Sequence, residues 1–482
     1  MNTRFIAIAL GLLLAVPMSD ARSPKRGVSE SAFQFASQLE PLSPGVCWFY
    51  NWGPQPNSDE VANYEDMEFC PMAWNGGYNA TAIRNYFNKY PQAKYILGFN
   101  EPNFINQADM TPQEAAEKWP ELKALADELG AKIVAPAMNT SPNPPYQSPT
   151  KWFDEFVAIV GLDSFDYLAV HSYGGTEAMK NIATSFHDRY GKDVWVTEFC
   201  LWPDEGNANA YVSPDSQISS MIRSLEWLEK TPWIYRYAWF KPVGLVNSNK
   251  GPNYGLLMPK NGAGPRELSE QGYVYTYMSE FDADVWHSTG ELVAASEYIS
   301  STALSLGKGA NADCPLPIEI SQFNAGATAD YQFDITAAGN YSLELTVSGE
   351  GEPKRYDPTL SIVAINADGS EGKELHAAKG FVLSGDNTVY STVNFPITLQ
   401  AGKQTLRIKD ANPYRPSGIR ISTLRLRDLS GVTDVTVENE NRLVDVVNAA
   451  GITVRRGVEA SRATEGLPAG FYIAGGRKTI VR

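Results

Sequence analysis

This chain of 482 residues has few cysteines and histidines, an uneven supply of tryptophan and a shortage of basic side chains. There are four histidines and four cysteines, and all 11 tryptophans lie between Trp48 and Trp286, so the last 196 residues have none. The 40 Lys and Arg are outnumbered by 55 Asp and Glu, which leaves a net charge of −15. A nucleic-acid or anionic-membrane partner would need a basic face, so the charge argues against both.

Several signatures of enzyme chemistry are also missing. The four histidines form no His-Glu-x-x-His motif and show no other paired metal spacing. There is no Gly-x-Ser-x-Gly motif of a serine hydrolase and no Gly-rich phosphate loop. We therefore expect no metal at the active site and no cofactor required for catalysis.

Apolar runs are short, and the one at the N-terminus predicts export. Residues 1–21 are typical of a secretory signal, because Arg4 is positive, residues 5–16 are apolar but too short to span a bilayer, and residues 19–21 form a small-x-small cleavage site. No later run approaches the length of a transmembrane helix. We therefore expect a soluble protein, secreted or held at the cell surface.

Export would permit disulfides, but the cysteines are widely spaced. Cys47 and Cys70 fall in adjacent predicted strands and could pair, whereas Cys200 and Cys314 lie far away in sequence. Buried free thiols are the alternative, since cysteine packs well as a small apolar side chain. Both interpretations stay open at this point.

Short apolar strands alternate with helical patterns from Lys25 to about Phe281. This alternation is typical of a parallel sheet with helices outside, and eight units over about 257 residues fit a (β/α)8 TIM barrel, which we assign to residues 25–284. An open doubly wound sheet is the rival, but the Gly-rich turn expected after its first strand is absent. The predicted strands are Arg26–Val28, Val46–Asn51, Met67–Ala73, Tyr95–Glu101, Lys132–Met138, Tyr167–Tyr173, Val194–Phe199 and Ile234–Phe240.

Three helices stand out between and after these strands. The clearest prediction is Glu114–Gly130, with Thr111 and Pro112 at its start and a glycine at its end. Ile218–Lys230 and Gly272–Phe281 follow the same 3.6-residue pattern.

The pattern changes after Trp286, where short alternating strands follow one another without helices. Six strands separated by turns predict an antiparallel β-sandwich (jelly-roll) over residues 290–430. A small β unit over residues 431–482 follows it. The six predicted strands of the sandwich are Ala329–Ile335, Tyr341–Val347, Thr359–Ile365, Val393–Leu399, Gln404–Lys409 and Ile419–Leu426.

Chemistry-bearing side chains end the predicted barrel strands, where active sites of such barrels lie. Glu101 and Glu198 are 97 residues apart, about three β/α units, and end strands four and seven. These strands lie across the barrel mouth, so both carboxylates can flank one bond. Two facing carboxylates among aromatic rings indicate a glycosidase, because one must protonate the leaving sugar oxygen while the other is ionised.

Neighbouring residues suit the same chemistry. Asn100 could bind a sugar 2-hydroxyl, and tryptophan rings offer flat apolar faces to pyranoses. His171 ends a strand and is either a partner of the carboxylates or a plain core histidine. Cys200 follows Glu198 closely, but no base marks it as a nucleophile, so packing is the favoured interpretation.

The strand ends occur in six motifs, all in order over about residues 25–281. These motifs are Val46-Cys-Trp-Phe-Tyr-Asn-Trp-Gly53, Phe69-Cys-Pro-Met-Ala-Trp74, Gly98-Phe-Asn-Glu-Pro-Asn103, Val170-His-Ser-Tyr-Gly174, Trp195-Val-Thr-Glu-Phe199 and Tyr235-Arg-Tyr-Ala-Trp-Phe240. Together they resemble glycoside hydrolase family 128, whose domain is also called the glycosyl hydrolase catalytic core. The resemblance implies a (β/α)8 barrel, a retaining double displacement and action on β-1,3-glucans, by endo-acting, exo-acting or mainly glycan-binding members.

The resemblance also implies residue roles. Glu101 matches the family's acid/base and Glu198 its nucleophile. One departure is Asn75, which stands where the family has glycine and could alter a sugar subsite. The positions that match family residues near the substrate are Asn100, Trp52, Trp74, His171, Tyr173 and Trp239.

The two later units carry weaker resemblances. Residues 326–341 and 399–408 resemble a carbohydrate-binding module of the family 6 or 35 type, and residues 295–297 partly match the strand that holds a structural calcium there. Without tryptophan, sugar stacking would depend on a residue such as Tyr414, and a purely structural sandwich is the alternative. Residues 466–473 and the basic end resemble a type IX secretion sorting domain, which implies a secretion-machinery partner, although an ordinary terminal β unit is possible.

Three functions remain open from the sequence. The first is a secreted retaining endo-β-1,3-glucanase, with a polysaccharide as its partner. The second is a surface glycan-binding protein of low activity, and the third is a hydrolase of another β-glycan such as β-1,4-glucan or mannan. For the first we expect Glu101 to titrate high, Glu198 to titrate low, and the two carboxyl groups to lie about 5–5.5 Å apart.

Overall fold

The computed structural model describes residues 23–203, 211–262, 264, 266–350, 355–429, 443–448, 452–459, 462–468, 470–474 and 477–481. The predicted signal at residues 1–21 lies outside this range. The described chain forms a mixed α/β unit, an antiparallel β unit and a small four-stranded sheet.

The first unit contains eight parallel strands, each followed by a helix or helical turn, as the alternation predicted. The strands are β1 (Arg26–Ser29), β2 (Trp48–Tyr50), β3 (Glu68–Phe69), β4 (Tyr95–Leu97), β5 (Lys132–Met138), β6 (Tyr167–Ser172), β7 (Val194–Phe199) and β8 (Ile234–Phe240). The helices are α1 (Asp59–Ala62), α2 (Ala80–Lys89), α3 (Pro112–Leu129), α4 (Pro149–Val160), α5 (Thr176–Tyr190), α6 (Pro214–Lys230) and α7 (Glu270–Tyr277). Short 3-10 turns occupy Ala36–Gln38 after β1 and Leu162–Ser164 after α4.

The eight strands form one curled sheet in the order β3-β2-β1-β8-β7-β6-β5-β4. Its two edges meet, because the Leu97 amide donates to Pro71 O at 2.8 Å and the Ala73 amide donates to Leu97 O at 2.9 Å. An open doubly wound sheet would leave both edges unpaired. The arrangement is therefore consistent with the predicted (β/α)8 core.

Helix α3 shows how the local sequence sets the boundaries of an element. Thr111 precedes it and shares a capping box with Glu114, and Pro112 occupies the first turn, where its missing N–H costs nothing. Gly130 ends the helix with φ +64°, a left-handed conformation that favours glycine. The helix follows the loop that carries Glu101 and so anchors one side of the barrel mouth.

Aromatic rings fill the barrel interior away from the carboxyl ends of the strands. Trp48, Tyr95 and Trp195 pack edge to face, with centroids 5.1 Å apart for each pair that includes Trp195. The Arg236 guanidinium lies 4.5 Å from the Tyr95 ring centroid and pairs with Glu68 at 2.6 Å. This plug leaves the carboxyl ends of the strands as the place where a ligand can enter the barrel.

The second unit is built of antiparallel strands, as expected for a sandwich, and its buried apolar residues belong to the same cluster as those that pack between the barrel strands and helices. The main sheet path is β15-β14-β17-β12-β18-β13-β16, with β9, β10 and β11 attached to it. The sequence did not predict β9, β10, β11 or β15. The strands are β9 (His287–Ser288), β10 (Val293–Ala294), β11 (Ser300–Lys308), β12 (Ile318–Ile335), β13 (Gly339–Gly349), β14 (Thr359–Ile365), β15 (Glu371–Gly380), β16 (Ser391–Leu399), β17 (Gly402–Asp410) and β18 (Ile419–Asp428).

The last unit is a small sheet in the order β20-β19-β21-β22. Its strands are β19 (Leu443–Asn448), β20 (Thr453–Glu459), β21 (Gly470–Ala474) and β22 (Arg477–Val481). The part of the chain that the structure describes contains no helix with the length and apolarity needed to cross a bilayer.

The four cysteines all fall within the described residues and form no disulfide. The possible pairing of Cys47 with Cys70 is therefore absent from the structure. Cys70 and Cys200 are buried, as expected for packing residues.

A buried arginine joins the first strand of the barrel to its last two helices. Arg26 in β1 is fully buried, and its Nη2 pairs with Glu229 of α6 at 3.0 Å. Its Nε donates to the Tyr237 hydroxyl at 2.9 Å, and its Nη1 donates to the carbonyls of Tyr275 and Met278 at 2.9 and 3.0 Å. One side chain thus connects β1 with α6, β8 and the end of α7.

We expect Arg26→Met to lower the free energy of unfolding of the barrel by about 3–5 kcal/mol, because it leaves the buried Glu229 carboxylate without the cation that neutralises it. Denaturant unfolding followed by tryptophan fluorescence reports mainly on the barrel, since ten of the 11 tryptophans lie between Trp48 and Trp239. The control is Arg84→Met, which breaks an exposed pair with Glu128 and should change little. Equal unfolding midpoints for the two variants would contradict the prediction.

Candidate active site

The carboxyl ends of the barrel strands surround a cleft of about 900 Å³. Glu101 follows β4, His171 lies in β6 and Glu198 lies in β7, and all three are buried at its floor. The other lining residues are Trp52, Trp74, Asn100, Phe104, Gln107, Asn139, Thr140, Pro142, Ser172, Tyr173, Gly174, Ala178, Ile182, Trp202, Pro203 and Phe240.

Aromatic donors hold the carboxylate of Glu198. Its Oε1 accepts hydrogen bonds from the Tyr50 hydroxyl at 2.9 Å and the Trp52 indole N–H at 2.7 Å. Its Oε2 accepts one from the Tyr173 hydroxyl. Both oxygens are therefore fixed in direction before any substrate arrives.

Glu101 has fewer partners. Its Oε1 accepts a hydrogen bond from the Asn139 amide at 2.9 Å and lies 2.7 Å from His171 Nδ1. Its backbone has φ +45°, which a residue with a Cβ rarely adopts and which costs on the order of 1–3 kcal/mol. The surrounding barrel holds this strained residue with its carboxylate in the cleft.

The two carboxylates and His171 form one compact set. One ligand atom from each of the three residues lies within 4.8 Å of the others. His171 Nδ1 is 2.7 Å from Glu101 Oε1 and 3.5 Å from Glu198 Oε2. His171 therefore contacts both carboxylates, so of its two possible roles the structure favours a partner of the acids over a plain core histidine.

The burial of the set shifts its protonation equilibria. Burial raises the pKa of Glu198, and the charge of Glu101 adds to the rise, although His171, Tyr173 and Trp52 oppose it. The sequence-based expectation of a low pKa for Glu198 is therefore wrong for the free protein, because loss of hydration outweighs the donated hydrogen bonds.

The donors themselves keep their protons. Burial and the charge of Glu198 raise the pKa values of Tyr50 and Tyr173 well above 10.0. Burial lowers the pKa of His171, but the charges of Glu198 and Glu101 outweigh it and raise the pKa above 6.5. Burial and Glu198 also raise the pKa of the Cys200 thiol, so it stays protonated and does not act as a nucleophile.

Asn100 reaches the cleft from the residue before Glu101. Its Nδ2 donates to Gln107 Oε1 at 3.1 Å, while its buried Oδ1 has no hydrogen-bond partner within the described residues. An unpaired buried acceptor beside the reacting groups suits a hydroxyl of the substrate.

The predicted tryptophans divide into two groups. Trp52 and Trp74 line the cleft, whereas Trp239 does not. Trp239 is buried against Phe199 and Tyr275, and its indole N–H donates to Tyr254 O at 2.8 Å. Side chains alternate along a strand, so the next residue, Phe240, faces the cleft instead. The structure thus replaces Trp239 with Phe240 as the aromatic residue that β8 contributes.

Sequence reasoning missed four residues of the site. Tyr50 lies two residues before Trp52 on the same strand face, and Asn139 follows β5 directly, so the strand-end rule could have found both. Phe240 and Trp202 are aromatic residues at or beyond strand ends, but nothing in the sequence distinguished them from packing residues.

The set of Glu101, His171 and Glu198 is also the one cluster within the described residues whose three ligand atoms could hold a metal ion. Its members already bond to one another and to Asn139, Tyr50, Trp52 and Tyr173. Two acids joined by an imidazole form an acid–base set that needs no cofactor to cleave a glycosidic bond.

Comparison with known proteins agrees with this chemistry. The family model described as glycosyl hydrolase catalytic core matches residues 31–275, which is half of the chain and includes both glutamates. No curated protein matches the chain.

Three solved structures illustrate the similar proteins. A glycoside hydrolase family 128 (subgroup II) endo-β-1,3-glucanase from Pseudomonas viridiflava is 33% identical, covers 53% of this chain and 98% of its own, and has a TM-score of 0.46. A subgroup I endo-β-1,3-glucanase from Amycolatopsis mediterranei, in complex with laminaritriose, is 27% identical, covers 48% of this chain and 95% of its own, and has a TM-score of 0.39. A subgroup III curdlan-specific exo-β-1,3-glucanase from Blastomyces gilchristii, in complex with glucose, is 25% identical, covers 53% of this chain and 98% of its own, and has a TM-score of 0.41.

The match over residues 31–275 spans all the residues that form the cleft. It agrees with the paired carboxylates in assigning glycosidic-bond hydrolysis to the barrel. The chain therefore belongs to the glycosyl hydrolase catalytic core family and is a glycoside hydrolase.

Proposed function

We propose that the chain is a secreted retaining endo-β-1,3-glucanase, with Glu198 as nucleophile and Glu101 as acid/base. The observation that carries the mechanism is that one oxygen of Glu101 lies within 4.8 Å of one oxygen of Glu198. Retaining enzymes place their carboxyl groups about 5–5.5 Å apart, whereas inverting enzymes leave room for a water molecule between them. The choice of β-1,3-glucan rests on the six barrel motifs that resemble glycoside hydrolase family 128.

The different surroundings of the two acids support their roles. Glu198 accepts hydrogen bonds from Tyr50, Trp52 and Tyr173, which hold an ionised carboxylate facing the anomeric carbon. The hydrogen bonds of Glu101 fall on Oε1, so its Oε2 is left for the glycosidic oxygen.

The proposed reaction has two displacements. Glu101 gives its proton to the glycosidic oxygen while Glu198 attacks the anomeric carbon, so the leaving sugar departs and a glycosyl ester forms on Glu198. Water then attacks the anomeric carbon of this ester while Glu101 takes its proton, and the bond from that carbon to Glu198 breaks, which releases Glu198 as a carboxylate. His171 contacts both acids and keeps their side chains in position while Glu101 loses and regains its proton.

We expect Glu101→Ala and Glu198→Ala each to lower reducing-sugar release from laminarin or curdlan by about 10³-fold or more. Circular dichroism should stay unchanged. The exposed Glu177→Ala of α5 is the matched control and should keep full activity. Retained activity in either cleft variant would rule out the assignment of the pair.

Azide separates the two roles in the same variants. With an activated aryl β-glucoside, Glu198→Ala should yield the α-glucosyl azide, because azide replaces the nucleophile. Glu101→Ala should yield the β-azide, because azide attacks the glycosyl ester on Glu198. Exchanged products would reverse the roles, and product analysis on β-1,3-glucan, β-1,4-glucan and mannan would identify the substrate and the cleavage pattern.

The pH profile provides an independent test of Glu198. Activity requires its ionised form, so activity is lost as the pH falls through its pKa, which burial raises above 4.5. Trp52→Phe removes the indole donor and raises this pKa further. We therefore expect the acid limb of kcat/KM to move up by about one to two pH units, since a hydrogen bond to a charged group contributes about 1.5–3 kcal/mol.

The control for this test is Trp74→Phe. The Trp74 ring lines the same cleft, but within the described residues its indole donates to neither carboxylate. Its acid limb should stay where the unmodified protein has it. If the acid limb of kcat/KM does not move in Trp52→Phe, the indole does not stabilise the ionised form of Glu198, and the prediction is wrong.

The antiparallel unit is proposed to be a carbohydrate-binding module that uses Tyr414, whose side chain is 91% exposed. Tyr414→Ala should then reduce retention of the protein on curdlan, because an exposed phenol ring can stack on a pyranose. Val382→Ala, at a residue 89% exposed, is the control. Equal retention of both variants would favour a purely structural sandwich.

A structural calcium near residues 295–297 also stays a proposal. A melting temperature that rises with calcium would support it, and one that does not change would contradict it.

Export is a further part of the proposal. It rests on residues 1–21 and on the resemblance of residues 466–473 to a type IX sorting domain. Protein recovered outside the producing cells with its first residue near position 22 would support the proposal, and full-length intracellular protein would contradict it.

A further inference from the structure

An exposed tryptophan extends the wall of the cleft beyond the reacting groups. Trp202 is 37% exposed, which makes it the most exposed of the tryptophans. Its ring meets Tyr173 at a centroid distance of 6.1 Å and Phe240 at 5.8 Å, both nearly perpendicular. The indole therefore continues an aromatic patch along the cleft wall and is not an isolated surface ring, and such patches mark ligand-binding grooves.

A stacked tyrosine supports this indole. The rings of Trp202 and Tyr254 lie 5.2 Å apart at an interplanar angle of 30°, so Tyr254 covers one face of the indole. Tyr254 is held in turn at its carbonyl, which accepts the indole N–H of Trp239 at 2.8 Å. The exposed area of Trp202 therefore belongs to a fixed ring, with little rotamer freedom left to lose on binding.

Glycine makes the support possible. A Cβ added at Gly244 would lie 1.8 Å from a ring atom of Tyr254, so only a residue without a side chain lets this ring lie flat against the backbone. Trp239, which does not contact the cleft, thereby acquires a role in positioning Tyr254 beneath Trp202.

We infer that Trp202 is the stacking platform for a glucosyl unit next to the one that Glu198 attacks. One phenol ring, that of Tyr173, separates Trp202 from the carboxylate of Glu198, since the Tyr173 hydroxyl donates to that carboxylate. A sugar over Trp202 is thus too far away to react and belongs to a neighbouring position in the chain. The inference rests on the proposed function, because it takes a glucan in the cleft as given.

The test measures oligosaccharide binding in the Glu198→Gln background, where the sugar is not consumed. We expect Trp202→Ala to weaken the Kd for laminarihexaose about 3- to 10-fold in calorimetry, since aromatic stacking contributes about 0.5–1.5 kcal/mol. Trp202→Phe should recover part of the loss. Tyr254→Leu should weaken binding by a smaller factor, because it removes the support and keeps the indole.

The control is Trp286→Ala, which removes a half-buried indole that contacts Lys403, away from the cleft. An unchanged Kd in Trp202→Ala, or an equal loss in Trp286→Ala, would overturn the inference while leaving the proposed glucanase intact. If the unmodified protein hydrolyses another β-glucan and not laminarin, the proposed function fails. The same variants measured with that oligosaccharide then decide the role of Trp202.

Discussion

The carboxylate of Glu198 is buried, so its negative charge needs hydrogen-bond donors to replace the water that it has lost. The residues at the barrel mouth supply these donors. A buried carboxylate is stabilised only by fixed donors, and here they come from two separate parts of the sheet. Tyr50 and Trp52 belong to β2 and its end, whereas Tyr173 follows β6. Strands so far apart in sequence bring their ends together only because the parallel sheet curls. The hydrogen bonds to Glu198 therefore depend on the curvature of the sheet.

The two acids differ in how their carboxylates are held. Glu198 is held at both oxygens, while Glu101 is held at Oε1 by Asn139 and His171. Since His171 also lies 3.5 Å from Glu198, a change of charge on one acid is felt by the other through the imidazole. Two glutamates of identical chemistry thus have different hydrogen-bond partners, and Glu101 is held in the pair with a strained backbone.

Much of this could be predicted from the sequence, because apolar strand patterns and strand-end carboxylates obey strong rules. The separation of 97 residues placed Glu101 and Glu198 at facing strands, which is where the structure has them. The choice between Trp239 and Phe240 could not be made, since both are aromatic and only the phase of the two-residue alternation separates them.

Other features depend on contacts that no single segment encodes. The raised pKa of Glu198 follows from burial by residues distant in sequence, which the expected role of an ionised nucleophile did not reveal. Strand β15 reads Glu371-Gly-Lys-Glu-Leu-His-Ala-Ala-Lys-Gly380 and has no apolar alternation. It is a strand because β14 pairs with it along one edge.

The charge of the cleft narrows the substrate class. Among the residues that the structure describes, those that line it include Glu101, Glu198 and His171 but neither lysine nor arginine. A polysaccharide that carries uronic acids or sulfates would bring negative charge next to the buried acids Glu101 and Glu198, and desolvating that charge would cost several kcal/mol. A neutral polysaccharide meets no such penalty, because it brings no charge into the cleft. The net charge of −15 acts in the same direction at longer range, since it repels polyanions and leaves neutral chains unaffected.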